Sequence, residues 1–308
     1  MNRDIFPLLC DPNDGGDLSL HTFESDVREV REGVLRNDAT GRWFPVRDGI
    51  PSLFADALRT GALADDDAAF ASRHEAKMRE AGCEMPANST AAEGDFSRIE
   101  GERRARDEQA ADYDRMFSLK VAEKIEAPAY EKALKQLEAN RALPLFEAGC
   151  GTGRFTEMFA RWGSFVVAAD MSRDSIVRNR IRHAGKTASP VHYVHCDLTH
   201  LPLKDNIFGT IAHCGVYEHI PSRSMREQFL AHAARVCQKN GVLVLSAYRW
   251  DGMGTRWEKE GEHDGGIPYF RFTEAELRAE VEPYFSIEKF QGNLAIYLSL
   301  VAGRPLHS

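Results

Sequence analysis

From residue 145 onward, short apolar runs alternate with segments whose apolar residues recur at helical spacing. The runs are Leu145-Phe146, Phe165 to Ala169, Val191 to Cys196, Ile207 to His213 and Gly241 to Ser246. Runs this short and this apolar read as strands buried on both faces. Helical patterns occupy 154–162, 173–184, 223–238 and 273–283. Strand–helix alternation predicts a parallel sheet covered on both sides. The last two runs, Phe285 to Phe290 and Leu294 to Ala302, flank Gln291-Gly292-Asn293. That turn signal predicts an antiparallel hairpin. The first part of the chain reads differently. Residues 1–56 are turn-rich, and 57–128 are polar and helical, with a loop at 84–97. Asp65-Asp66-Asp67 precede an Ala-rich stretch, placing acids near the positive end of a helix. Arg106, Ala110, Tyr113 and Phe117 recur on one helical face, and Tyr130, Ala133, Leu134 and Leu137 on another.

The first strand runs into Glu147-Ala148-Gly149-Cys150-Gly151-Thr152-Gly153-Arg154. Glycine lacks a Cβ, so a ligand can come close to such a backbone. A strand, a glycine loop and a helix start together build a nucleotide-type cofactor site. The spacing is not the G-x-G-x-x-G of dinucleotide binders, and no phosphate-loop motif is present. A carboxylate at Glu147 disfavours a pyrophosphate and suits a ligand carrying an ammonium group. The second run ends in Asp170, about 20 residues past the glycines, where an acid can accept from a ribose diol. The third run ends in Asp197-Leu198, where carboxylate and backbone N–H can hold adenine.

This E-x-G-x-G-x-G pattern, in register with Asp170 and Asp197, resembles class I S-adenosylmethionine-dependent methyltransferases of the small-molecule type. The resemblance implies an α/β fold: a seven-stranded Rossmann-like sheet with the last strand antiparallel, spanning 129–308. It implies S-adenosylmethionine as cofactor, held by Tyr113, Glu147, Gly149, Gly151, Gly153, Asp170, Met171, Asp197, Leu198, Cys214 and Gly215. The fourth strand end, Cys214 to Ile220, should lie beneath the transferable methyl. Arg106-Asp107 through Tyr113-Asp114 are similar to the helix that closes over the cofactor in that family.

The start of the chain, Leu8-Leu9-Cys10-Asp11-Pro12, and the run Phe44 to Phe54 resemble the small zinc-ribbon-like domain that activates several methyltransferases. The metal ligands that the resemblance implies are missing: the second thiol of the first pair is absent, with Asp14 nearby, and Asn37 and Asp38 stand where a second pair is expected. One thiol cannot hold structural zinc, so the expected domain over 1–56 is metal-free.

Composition narrows the function classes. Forty-seven acids against 39 bases give a net charge of −8. That balance opposes a broad nucleic-acid footprint. The cysteines show no C-x-x-C spacing, which points to a reducing, cytoplasmic setting. No run resembles a signal peptide or a membrane span. The pattern leaves open whether the protein is a monomer or a dimer.

An aromatic, charged insert follows the fifth strand. Trp250, Trp257, Tyr269 and Arg271, with Tyr217, are expected to contact a small-molecule acceptor. A base is needed only if the acceptor holds its proton at neutral pH; His219, Glu218 and His263 are the candidates. O- or N-methylation is the leading reading. The alternatives are a tRNA methyltransferase with a fused activator-like domain, a nucleotide-dependent oxidoreductase, and a non-catalytic cofactor-binding partner.

Overall fold

The computed structural model describes residues 1–84, 95–112, 122–250, 258–263, 265–294 and 298–306. Four strands come first: β1 (Ser19–Ser25), β2 (Val30–Arg36), β3 (Trp43–Arg47) and β4 (Ile50–Leu53). Helices α1 (Gly61–Arg73), α2 (Glu75–Glu80), α3 (Asp95–Gln109) and α4 (Ala127–Gln136) follow. The alternating part then runs β5 (Leu145–Ala148), α5 (Thr156–Phe159), β6 (Val166–Asp170), α6 (Arg173–His183), β7 (Val191–Cys196), β8 (Phe208–Cys214) and α7 (Arg223–Val236). It closes with β9 (Cys237–Tyr248), β10 (Glu260–His263), β11 (Ile267–Phe270), α8 (Glu274–Val281), β12 (Phe285–Leu294) and β13 (Leu298–Pro305).

The main sheet has eleven strands in the order β1-β2-β3-β4-β7-β6-β5-β8-β9-β13-β12. Strands β7, β6, β5, β8 and β9 are parallel, and β13 inserts antiparallel between β9 and β12. The sheet is therefore larger than the seven strands expected. The N-terminal strands do not stand apart as a separate layer. Strand β4 pairs parallel with β7, Ser52 opposite His195 and Leu53 opposite Cys196. This covers an edge that would otherwise expose unpaired backbone beside Asp197. The junction is further tied by buried His195, whose ring lies 2.9 Å from Ser52 Oγ and 3.0 Å from the Met171 carbonyl.

Polar side chains tie the N-terminal turns together. Asn37 Nδ2 donates to Asp11 at 2.9 Å and to Asp14 at 3.3 Å, while the Arg42 guanidinium reaches Asp14 at 2.7 Å and Asp11 at 3.3 Å. A guanidinium fork thus joins the two turns. Cys10 is buried beside them.

Local differences from the sequence pattern have simple causes. Helix α5 covers only four residues of the expected 154–162, because Arg161 and Trp162 bond three residues back, to Met158 and Phe159, and tighten the chain. Gln291-Gly292-Asn293 do not form the hairpin turn; they belong to β12, with Gln291 opposite Leu300 and a register shift before Leu294. Leu294 pairs with Leu298, and 295–297 lie outside the described residues. The insert after β9 folds into a β10–β11 hairpin.

Candidate cofactor and acceptor site

The carboxyl ends of β5, β6, β7 and β8 open into one cavity, about 1070 Å³ with its mouth included. Its floor carries Glu147, Gly149, Gly151, Asp170, Met171, Asp197, Leu198, Cys214 and Gly215. Parallel strands end together, so acids far apart in sequence meet at one edge.

Each strand-end acid is held by short-range donors. Asp170 accepts from the backbone N–H of Gly151 at 2.8 Å and of Ser172 at 2.9 Å. Asp197 accepts from Thr199 N–H at 2.8 Å and from the Thr199 hydroxyl. Glu147 accepts from the Thr156 hydroxyl at 2.7 Å, and Asn179 Nδ2 lies 2.9 Å behind that hydroxyl. Burial pushes the Glu147 carboxyl up to about 8, against the Thr156 hydrogen bond and with help from Asp170. A cation beside it would bring that value back down.

The glycines differ. All three have positive φ, which penalises a side chain. A Cβ on Gly151 would meet nothing within 4 Å, so this backbone faces open cavity. A Cβ on Gly149 would meet Val216 at 2.6 Å, and one on Gly153 would meet Asn179 Oδ1 at 2.6 Å and His183 Nε2 at 2.7 Å. Gly153 does not line the cavity; its carbonyl accepts from His183 at 2.9 Å. The expectation of close ligand approach at all three narrows to Gly151, with Gly149 on the wall.

The other wall combines α3 with the 3₁₀ turn Tyr217–His219 that follows β8. Ile99, Glu102 and Arg106 line the cavity from α3; Val216, His219, Ile220 and Pro221 line it from the turn. Glu102 was not among the residues expected here. Its spacing of three from Ile99 and four from Arg106 was the available signal. Its polar face gave no reason to look inward.

His219 is buried, and burial holds its imidazole well below the usual range, with Arg106 adding to the shift. Its Nδ1 donates to the Pro268 carbonyl at 2.8 Å, since a carbonyl only accepts. The ring is therefore neutral, with its lone pair on Nε2. Glu218 lies behind, its Oε1 4.0 Å from that nitrogen. Among the described residues neither Glu218 oxygen has a hydrogen-bond partner, and burial pushes the carboxyl up to about 8.

Tyr217, expected as an acceptor contact, does not line the cavity. It is fully buried, and its hydroxyl donates to Glu280 at 2.7 Å. Arg226 clasps the same carboxylate at 2.8 and 2.9 Å and donates to the Ile220 carbonyl at 3.3 Å. This clamp holds the turn that carries His219. Trp250 N–H bonds the Phe272 carbonyl at 2.7 Å, and neither Trp250, Tyr269 nor Arg271 lines the cavity. Tyr269 and Arg271 form a ring-and-cation cluster instead, 4.4 Å apart, with Tyr248 and His263 beside them. His263 is exposed, its ring 5.5 Å from that of His219. Tyr113 and Trp257 lie outside the described residues. Among the described residues, no three His, Cys, Asp or Glu side chains converge to hold a metal. No described helix is long and apolar enough to cross a membrane.

Residues 146–245 match the family model described as a methyltransferase domain. Among curated proteins, the chain is 35% identical over 143 residues to a malonyl-[acyl-carrier protein] O-methyltransferase of Buchnera aphidicola, covering 44% of this chain and 50% of that protein. It is 25% identical over 146 residues to a ubiquinone biosynthesis O-methyltransferase of a Bradyrhizobium species, covering 44% and 56%. The chain thus spans about half the length of the curated relatives it matches. Among solved structures, it superposes on the Burkholderia thailandensis 1,6-didemethyltoxoflavin-N1-methyltransferase, which has that compound and S-adenosylhomocysteine bound. The TM-score is 0.58 at 19% identity, covering 72% of this chain and 95% of that one. For the CcbJ methyltransferase of Streptomyces caelestis the TM-score is 0.54 at 15% identity, covering 67% and 99%. The α/β methyltransferase fold extends well beyond the matched 146–245 segment.

Proposed function

We propose that this protein is an S-adenosylmethionine-dependent methyltransferase acting on a hydroxyl or amine of a small molecule. The observation that carries the reading is the convergence of Glu147, Asp170 and Asp197 on one cavity beside the open backbone of Gly151. Three carboxylates repel a phosphate and suit the ammonium, ribose diol and exocyclic amine of an adenosyl sulfonium. The matched methyltransferase domain and the O-methyltransferase relatives support it.

In this reading Asp170 accepts from the ribose, Asp197 and the Leu198 N–H hold adenine, and Glu147 faces the ammonium end. When bound, the cofactor supplies an electrophilic methyl on sulfur. The chain's own task is to orient the acceptor and take its proton. His219 Nε2 is the base: neutral, lone pair free, and on the cavity wall. Glu218 keeps its own proton at neutral pH and does not compete. Orientation supplies much of the acceleration in such a displacement. The proton transfer adds about a hundredfold or more.

The N-terminal strands, in this reading, are a metal-free relative of the activator ribbon, fused so that β4 props the β7 edge next to Asp197. A tRNA substrate is the lesser reading, opposed by the net charge of −8. The test is transfer of labelled methyl from S-adenosylmethionine to a metabolite extract, with and without nuclease. Label in a nuclease-resistant small molecule supports the proposal. Label only in RNA, or no binding of the cofactor, overturns it. In His219→Ala, labelling should fall about a hundredfold while S-adenosylhomocysteine affinity holds.

A further inference from the structure

Helix α3 lies outside the matched segment, yet it is fastened to the turn between β6 and α6. Asp107 accepts from Ser172 Oγ at 2.7 Å and from Asp174 N–H at 3.3 Å. It thereby caps the first turn of α6 from another element, directly after Asp170. On the opposite side Gly265 packs against Ala105 and Gln109, and at the base Thr60 donates to Glu100 at 3.2 Å. The helix is a fixed wall.

Glu102 is the acid this wall presents. It is 5% exposed and lines the cavity shared with Asp170, Asp197 and Glu147. Arg106, on its own helix, bonds it at 3.4 Å; Arg103 is engaged by Asp107 at 3.3 Å. Asp170 and Asp197 are each committed to a backbone N–H, whereas Glu102 has no backbone donor among the described residues. Its capacity to accept is therefore the larger. Burial pushes its carboxyl up to about 7, Arg106 opposes, and Asp170 and Asp197 add to the rise. An acceptor-rich wall calls for a ligand rich in donors, and a nucleoside offers two ribose hydroxyls and an exocyclic amine.

Building on the cofactor reading, we propose that Glu102 is a direct ligand of the bound nucleoside, a third carboxylate beside Asp170 and Asp197, supplied by the linker helix. Donors on the ligand favour the ionised carboxylate, so binding near pH 6.5 releases part of a proton.

The test is titration calorimetry of the full chain with S-adenosylhomocysteine in buffers of different ionisation heat. Glu102→Gln should weaken binding by about tenfold or more and remove the proton released by this group, while that from Glu147 remains. Glu102→Asp retains charge but shortens reach, and should also bind more weakly; it serves if the first variant melts early. Affinity and proton count equal to wild type in either folded variant overturn the inference while leaving the cofactor reading standing. Absence of binding by the wild-type chain removes both.

Discussion

The two walls of the cavity are built on different principles. At the strand tips, the carboxylates of Asp170 and Asp197 hold backbone N–H groups two residues away, so each acid is positioned largely by its own turn. On the facing wall, position comes from contacts across long stretches of chain. Asp107 meets Ser172, His219 meets Pro268, and Arg226 meets Glu280. The first wall depends on sheet register and the turns and helix starts beside it, such as Gly151 on Asp170 and Thr156 on Glu147; the second depends on distant parts of the chain being folded around it. Ligand-facing acids on the first should be separable from stability, whereas the contacts that position the second should carry stability as well.

The largest effect should come from breaking the clamp under His219. Arg226→Ala leaves Glu280 buried without its partner and should cost about 3–5 kcal/mol in urea unfolding. A loss under about 1 kcal/mol, with S-adenosylhomocysteine binding intact, would mean the turn is held locally, like the strand tips. Next comes the opposite case. Asp170→Ala should weaken S-adenosylhomocysteine about tenfold or more with the melting temperature nearly kept. Comparable losses of stability and binding would erase the contrast.

The glycine loop sharpens the comparison within one wall. Gly153→Ala meets Asn179 and His183 and should destabilise the fold strongly; Gly151→Ala meets nothing, bears only the strain of its positive φ, and should destabilise less than Gly153→Ala while lowering ligand affinity. Thermal melts beside calorimetry separate the two.

The last comparison concerns Glu218. Its folded pKa stands near 8, above the ordinary 4.5, so the folded state binds the proton more tightly. That contribution to stability is complete below pH 4.5 and is lost as pH rises toward 8. Glu218→Gln should therefore raise the melting temperature at pH 8 more than at pH 5. Equal shifts at both would show the carboxyl to be solvated or partnered.

The same contrast explains what the sequence could reveal. Glu147, Asp170 and Asp197 were legible because each ends an apolar run, and strand ends of a parallel sheet converge by geometry alone. Glu102 was hidden because a polar helix face looks solvent-exposed until something covers it. Tyr217 was misplaced because a ring beside a cavity residue need not share its direction: one residue on, the 3₁₀ turn sends it to Glu280. The joining of β4 to β7 was also invisible, since parallel pairing across more than 140 residues leaves no local mark. Asp14, Asn37 and Asp38 could be read as standing where ligands are expected, but not that Arg42 reaches both Asp14 and Asp11.

The central claim is that strand-end carboxylates around Gly151 hold an adenosyl sulfonium or its demethylated product. Titrating the full-length chain with S-adenosylhomocysteine by calorimetry tests it most directly. Saturable one-site binding that Asp170→Ala weakens about tenfold or more is the expected result. No heat from the wild-type protein, or binding indifferent to Asp170, would contradict it.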